Sequence, residues 1–385
     1  MNNTDKKQYP IRVLHYIKHL NTGGGEMLLY NILKNIDRDK VQFDFLVNDA
    51  KEEYLTEEVK KLGARVIPLL EEEPKSWIRK ITQTKSALRE LLKKGDYDIF
   101  HVHCSNGQGL IYSNIAKKAG VKHRIVHIHN CDVDGKFKGL KRFFHNWCKR
   151  CYMMAPTDYM ACSSDAARWL YSKDIIRDKK YEVITNGINI EQFAYNEEIR
   201  HEYREKLKWS DKKILINIGR MEEEKNQLFL LDIMRKLIEK DASCRLLIIG
   251  NGSLDVKIRN KIHNEHLEDY VSIIEYTDEV EKYLWAADYF ILPSLKEGLG
   301  IVAIEAQAAG LPTIVSDCIP VEVNVTDLIV HEALKNGSDK WSDSILTVEC
   351  NRERAVYNAK VKAAGYSIKD TAKRLQDIYM EMDDR

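Results

Sequence analysis

The chain has 385 residues, with 60 Lys and Arg against 59 Asp and Glu, for a net charge of +1. A composition of 44% hydrophobic and 31% charged residues excludes a disordered chain and predicts about two domains, each with its own core. The balanced charge lacks the footprint of a nucleic-acid binder, and no apolar run approaches the roughly 18 residues of a membrane span. Met1 to Pro10 is polar, with no apolar stretch behind its lysines, and eight cysteines are too few for a disulfide framework. A reduced, cytoplasmic protein is expected.

Short β-branched runs alternate with helix-period stretches almost end to end. In the first half the expected strands are Ile11–Ile17, Val41–Val47, Arg65–Leu69, Asp98–Cys104, His123–His129, Tyr159–Ser163 and Tyr181–Thr185. Amphipathic stretches at Glu26–Ile36, Lys75–Lys94 and Gln108–Ala119 lie between them. The second half repeats the rhythm at Lys213–Gly219, Arg245–Gly250, Val271–Glu275, Asp288–Pro293 and Pro312–Ser316. Strand–helix alternation implies right-handed βαβ units and parallel sheets covered on both faces. The rhythm breaks over Asn186–Asp211, so a domain boundary is expected there, and a final helix is expected over Ile368–Met382. The fold class is therefore α/β, with two doubly wound, parallel-sheet, Rossmann-like domains facing a cleft that holds the site.

Three glycine-bearing loops follow expected strands. Thr22-Gly23-Gly24-Gly25-Glu26 reads either as a tight turn or as backbone amides at a helix start that approach a phosphate. Gly219-Arg220, followed by Glu222-Glu223-Glu224-Lys225, places two cations where a diphosphate lies in a doubly wound domain; the bland reading pairs them with the acidic run. Pro293 to Glu305 sets Glu297 before a helix expected to start near Ile301, and Glu305 inside it. Eight helical residues span about 12 Å, comparable with the reach from sugar to ribose across a diphosphate. The same segment matches G-x-G-x-x-A at Gly298–Ala303, with Asp317 beyond it, which leaves a dinucleotide-binding oxidoreductase as a rival.

The pairs His101-x-His103 and His127-x-His129 each end a strand with both rings on one face. A zinc site with Asp132 or Asp134 lacks a third motif to fix its geometry, so no metal is expected. Asp132-Val133-Asp134 is one of three D-x-D matches and is not selective. Cys148 and Cys151 fall on a helical apolar stripe and read as core. Lys136–Arg150 carries six basic residues and no acid, with Phe137, Leu140, Phe143, Phe144 and Trp147 at helical spacing. That pattern fits a helix lying on an anionic membrane, or a core helix with its basic face in water.

Together these motifs resemble the family 4 retaining glycosyltransferases of the GT-B fold, particularly bacterial exopolysaccharide and capsule enzymes. The resemblance runs from Asn21–Glu26 through the histidine strand ends, Asn186-Gly187-Ile188, Gly219-Arg220 with Lys225 and Gly250-Asn251-Gly252 to Glu297 and Glu305, followed by Ala308-Ala309-Gly310-Leu311-Pro312. It implies an acceptor-side domain over residues 1–190 with a crossover helix at 366–385, and a nucleotide-sugar domain over 191–365. It implies donor binding by Gly24, Arg220, Lys225, Gly250, Glu297, the Gly298–Ile301 amides (with Leu299 and Gly300 between) and Glu305. Glu305 would hold the ribose diol and Glu297 a sugar hydroxyl. His129, Glu297, Arg220 and Lys225 would serve the reaction, with His103 on the acceptor side. The activity so implied moves a sugar, with retention and without a metal or other cofactor, from a nucleotide sugar, expected to be a UDP-sugar, to a hydroxyl of a glycan or lipid-linked acceptor in cell-surface polysaccharide synthesis. Peripheral contact with an anionic membrane belongs to the same expectation. A non-catalytic nucleotide-sugar-binding protein is the remaining alternative.

Overall fold

The structure is a computed structural model and describes residues 10–21, 23–72, 74, 77–129, 138–349 and 353–383. The chain divides into two compact units, 1–187 with 368–385, and 188–367. Ile188 and Ser367 form an isolated parallel bridge, so the two segments that link the units run side by side.

Unit 1 is built on seven parallel strands: β1 (Ile11–Tyr16), β2 (Val41–Asp49), β3 (Arg65–Leu70), β4 (Ile99–Cys104), β5 (His123–Ile128), β6 (Asp158–Ala161) and β7 (Glu182–Val183). Their order across the sheet is 3-2-1-4-5-6-7. The strands bury residues on both faces. Leu14, Phe100, Val102 and Val126 enter one apolar layer, while Val13, Phe43, Phe45, Ile99 and Ile125 enter the other. The terminal helix Ile368–Asp383 packs its Ile368, Ala372, Leu375, Ile378 and Tyr379 side chains into the second layer. Those positions recur at three- and four-residue spacing, which is why the stretch forms a helix with one apolar face.

Unit 2 repeats the plan with β8 (Lys213–Ile218), β9 (Cys244–Ile249), β10 (Val271–Ile274), β11 (Tyr289–Leu292), β12 (Thr313–Ser316) and β13 (Ile329–Glu332), in the order 10-9-8-11-12-13. The pairing is parallel throughout. Among the described residues, twelve of the thirteen strands fall where alternation predicts them. The thirteenth, β13, is a four-residue edge strand, only part-buried along most of its length, so it carries too little apolar signal to stand out. The expected gap over Asn186–Asp211 contains no strand but does hold a helix, Glu197–Lys206, capped by Asn196 Oδ1 accepting from Ile199 N–H.

In each unit the chain reverses its winding direction at the first strand, between β1 and β4 and between β8 and β11. Loops leaving the carboxyl ends of those paired strands splay apart and open a crevice for ligands. Gly23–Gly25 follows β1, and Gly219–Lys225 and Pro293–Gly300 follow β8 and β11.

Candidate functional site

Neighbouring strands bring the charged groups of unit 2 together. Lys225 Nζ lies 2.5 Å from Glu297 Oε1, with side chains 18% and 10% exposed. Ser294 Oγ donates to the same carboxylate oxygen at 2.8 Å. The two loops are tied further by Leu295 N–H to Glu224 O at 2.8 Å and by Asn226 Nδ2 to Pro293 O at 3.1 Å. Lys225 thus pairs across strands and not with its own acidic run, where Glu222 is occupied by the Ser253 hydroxyl and amide. The Arg220 side chain is exposed, and among the described residues it has no hydrogen bond or salt bridge.

Helix Ile301–Ala308 starts directly after Gly300, whose φ of +83° turns the chain without a capping side chain. The Ala303 N–H donates to Gly300 O at 2.9 Å, and the amides before it are left for another partner, a natural place for an anion. Leu299 is buried in the apolar core, so only its backbone can serve a ligand. Glu305 is part-buried, one turn into the helix. Burial, and then the Glu281 carboxylate, push its carboxyl up to about 7. Among the described residues no group hydrogen-bonds it, so the fold itself gives this acid no use. Gly250 has a different explanation. A Cβ there would fall 2.1 Å from the Gly219 carbonyl oxygen, so the close approach of the β8 and β9 ends requires glycine with or without a ligand.

The dinucleotide alternative finds no footing. Gly298–Ala303 follows β11, the fourth strand of its unit, not the first. Asp317 Oδ1 accepts the Leu334 N–H at 3.2 Å, as a loop-fixing residue does.

In unit 1, the helix Gly24–Asn35 also begins without a capping side chain, at Gly23. A Cβ on Gly24 would meet no atom within 4 Å, and one on Gly25 would come 3.8 Å from the His129 ring. Thr22 lies outside the described residues. Sheet register then assembles a histidine layer: His15 pairs with His101, and His103 with His127. His103 Nδ1 is 2.9 Å from His129 Nε2, and His103 Nε2 is 3.0 Å from His15 Nδ1. His101 Nδ1 is 2.7 Å from the Tyr379 hydroxyl. Burial lowers all five rings, His15 to about 3 and His129 to about 4, so all are neutral at pH 7. His15 was absent from the sequence-based site, since a lone histidine inside β1 shows no pairing until the register is known. Asp132 and Asp134 lie outside the described residues. Two histidine triplets, His15–His101–His103 and His103–His127–His129, have ring nitrogens within 4.8 Å of one another.

The basic segment forms a helix, Lys138–Tyr152; Lys136 and Phe137 lie outside the described residues. The expected core stripe is not buried: Leu140 is 71% exposed, Phe143 70% and Trp147 42%. His145 and Cys148 face the core instead. His145 stacks on Trp169 at 4.0 Å, and Lys149 Nζ donates to the Trp169 carbonyl at 2.6 Å. Cys148 is buried as expected, but Cys151 is exposed, because it lies on the outward side of the same helix. One surface cavity, about 350 Å³, lies at the amino ends of β4 and β5, beside Tyr97, Gly120, His123 and Asp383. It is remote from the strand ends that carry these groups.

Residues 22–192 match the model for Glycosyltransferase Family 4, and residues 199–362 match that for Glycosyl transferases group 1. The chain belongs to glycosyltransferase family 4. It is 28% identical over 375 residues to the putative glycosyltransferase EpsF of Bacillus subtilis, covering 96% of each chain. It is 24% identical over 315 residues to the UDP-Gal:alpha-D-GlcNAc-diphosphoundecaprenol alpha-1,3-galactosyltransferase of Escherichia coli, covering 77% of this chain and 78% of that one. Among solved structures, Anabaena HepE in complex with UDP and glucose superimposes with a TM-score of 0.77 at 14% identity, over 96% of this chain and 99% of that one. This family 4 chain therefore has the GT-B fold. No helix among its described residues is long and apolar enough to cross a membrane.

Proposed function

We propose that this glycosyltransferase moves a sugar from a UDP-sugar to a hydroxyl of a glycan or lipid-linked acceptor in cell-surface polysaccharide synthesis, with retention of configuration and without a metal. The observation that carries the reading is the Lys225–Glu297 pair at the crevice between β8 and β11, with Arg220 exposed in the same loop as Lys225 and an uncapped helix start after Gly300. Arg220, Lys225 and the helix amides balance the charge of a leaving diphosphate, as a divalent cation does elsewhere. Charge-assisted hydrogen bonds of about 1.5–3 kcal/mol each make two cations a large share of the acceleration. Glu305 accepts from the ribose diol. Glu297, held by Lys225 and Ser294, accepts from a sugar hydroxyl. Within unit 1, Gly24 and His129, with His103 behind His129, are the residues this reading assigns to substrate. No carboxylate is given the role of a nucleophile. The acceptor hydroxyl attacks the anomeric carbon on the face the diphosphate leaves, the glycosidic C–O bond to phosphate breaks, and a β-phosphate oxygen takes the acceptor's proton.

The UDP and undecaprenol diphosphate in the relatives' names support the choice of donor and acceptor. A lipid-linked acceptor also fits the Lys138–Tyr152 helix, whose exposed Leu140, Phe143 and Trp147 sit among basic residues. In this reading the helix rests on the anionic cytoplasmic surface of the membrane. A thermal-shift screen across nucleotide sugars and nicotinamide cofactors tests donor and class together. UDP-sugars should raise the melting temperature; a shift with NAD(P) alone, or with none of the panel, would defeat the proposal.

A further inference from the structure

The histidine layer of unit 1 contains a directional chain. His15 Nδ1 meets His103 Nε2 at 3.0 Å, and His103 Nδ1 meets His129 Nε2 at 2.9 Å. A neutral imidazole carries one N–H and one lone pair, so three neutral rings linked in this way have two polarities. Pointing outward, His15 Nδ1–H donates to His103, His103 Nδ1–H donates to His129 Nε2, and His129 keeps its proton on Nδ1. Pointing inward, every proton moves to the other nitrogen, and the last N–H sits on His15 Nε2.

The two ends of the chain differ. His15 is fully buried against the Phe43 and Phe45 rings, at 4.1 and 5.8 Å, and its Nε2 has no partner. An N–H there would be stranded among aromatic rings, and a stranded donor is the rarer and costlier defect. His129 is only part-buried, just beyond the end of β5 and against Gly25, in the first turn of the Gly24–Asn35 helix. Its Nδ1 also lacks a protein partner and is itself buried, but it is backed by a glycine, where a Cβ on Gly25 would come 3.9 Å from it, and not by aromatic rings, so a bound ligand oxygen can accept from it. His127 stacks on His129 at 4.1 Å and His101 is engaged by Tyr379, so both flank the chain without joining it.

We propose that His15 and His103 are positioning residues that lock His129 in its Nδ1–H tautomer, so that it presents a hydrogen-bond donor to a ligand oxygen at the Gly24–Gly25 turn. The ligand class, a sugar or phosphate oxygen of the donor, rests on the function proposed above; the tautomer does not.

The experiment uses the full chain labelled with ¹⁵N-histidine and long-range ¹H–¹⁵N correlation at pH 7.5. The wild type should show His129 protonated on Nδ1. His103→Asn should retain that state, because its side-chain NH₂ takes the place of the Nδ1–H donor. His103→Leu and His15→Leu should release it to a mixture or to Nε2–H. With a UDP-sugar, turnover should fall about tenfold or more in His103→Leu, as a misplaced tautomer does elsewhere, and largely return in His103→Asn. An Nε2–H His129 in the wild type overturns the proposal even if no leucine variant folds. So does an unchanged tautomer in a folded His103→Leu, or a stoichiometric transition metal on these rings by mass spectrometry, since a metal would consume the lone pairs of the chain. A wild type that shows Nδ1–H yet transfers no sugar supports the tautomer and refutes the function.

Discussion

Acidification should unfold unit 1 before unit 2. Five imidazoles lie in one layer, with His15 and His101 against Tyr379 of the Ile368–Asp383 helix, and all are held neutral by burial. Their folded pKa values lie below the ordinary 6.5, so the stability they permit is fully present above pH 6.5. It is lost as pH falls, because the unfolded chain binds protons that the folded one refuses. His129, lowered to about 4, and His15, lowered to about 3, each forfeit about 2 kcal/mol between pH 7 and pH 5. Their sum of about 4 kcal/mol is a large part of a typical 5–15 kcal/mol domain stability. His101, His103 and His127 act in the same direction. For a unit of this size the loss lowers the melting temperature by about 8–16 °C. Amide exchange read separately on β1, β4 and β5 and on β8 and β9, corrected for intrinsic rates, distinguishes the units. His15→Phe, which fits among Phe43 and Phe45, should recover about 2 kcal/mol at pH 5 relative to wild type. Equal protection of β4 at pH 7 and pH 5, or greater protection at pH 5, would refute the reasoning.

Three further outcomes follow from single sites. Affinity for a UDP-sugar should fall about tenfold from its plateau on lowering the pH to 6, because Glu305 titrates near 7 and must be ionised to accept from a diol; titration calorimetry should show this dependence vanish in Glu305→Gln, with about 1–3 kcal/mol of binding lost. Lys225→Met should leave Glu297 half of its partners, destabilising unit 2 by about 1–3 kcal/mol in denaturant unfolding while lowering turnover. Replacing Leu140 and Phe143 with serine should sharply reduce sedimentation with anionic vesicles with little change in melting temperature, since they are 71% and 70% exposed. Equal partitioning to neutral and anionic vesicles would count against membrane docking.

The alternation of apolar runs was enough to place nearly every strand, because parallel strands buried on both faces carry the strongest periodic signal a sequence has. The spacing of Glu297 and Glu305 was legible as well. What the sequence concealed depends on which strands become neighbours. Nothing local links Lys225 to Glu297 or His15 to His103; β8 meets β11, and β1 meets β4, only through the doubly wound order. The helix at Lys138–Tyr152 failed in the opposite way. Its aromatic stripe obeys the pattern of a core face, yet the packed side is set by His145 and Cys148, which stand more than a third of a turn away at about 100° per residue. Gly250 shows a third limit, since a glycine needed for close backbone approach looks, in sequence, like one kept for a phosphate.

The central claim, sugar transfer driven by protein cations with retention, is tested most directly by following the anomeric configuration of the product by NMR. The reaction would use an α-linked UDP-sugar and a lipid-linked acceptor after exhaustive chelation. The account predicts an α-linked product at a rate unchanged by chelator, and loss of most transfer in the Arg220→Ala, Lys225→Ala double variant. A β-linked product, or an enzyme silent in chelator and revived by Mg²⁺ or Mn²⁺, would contradict it.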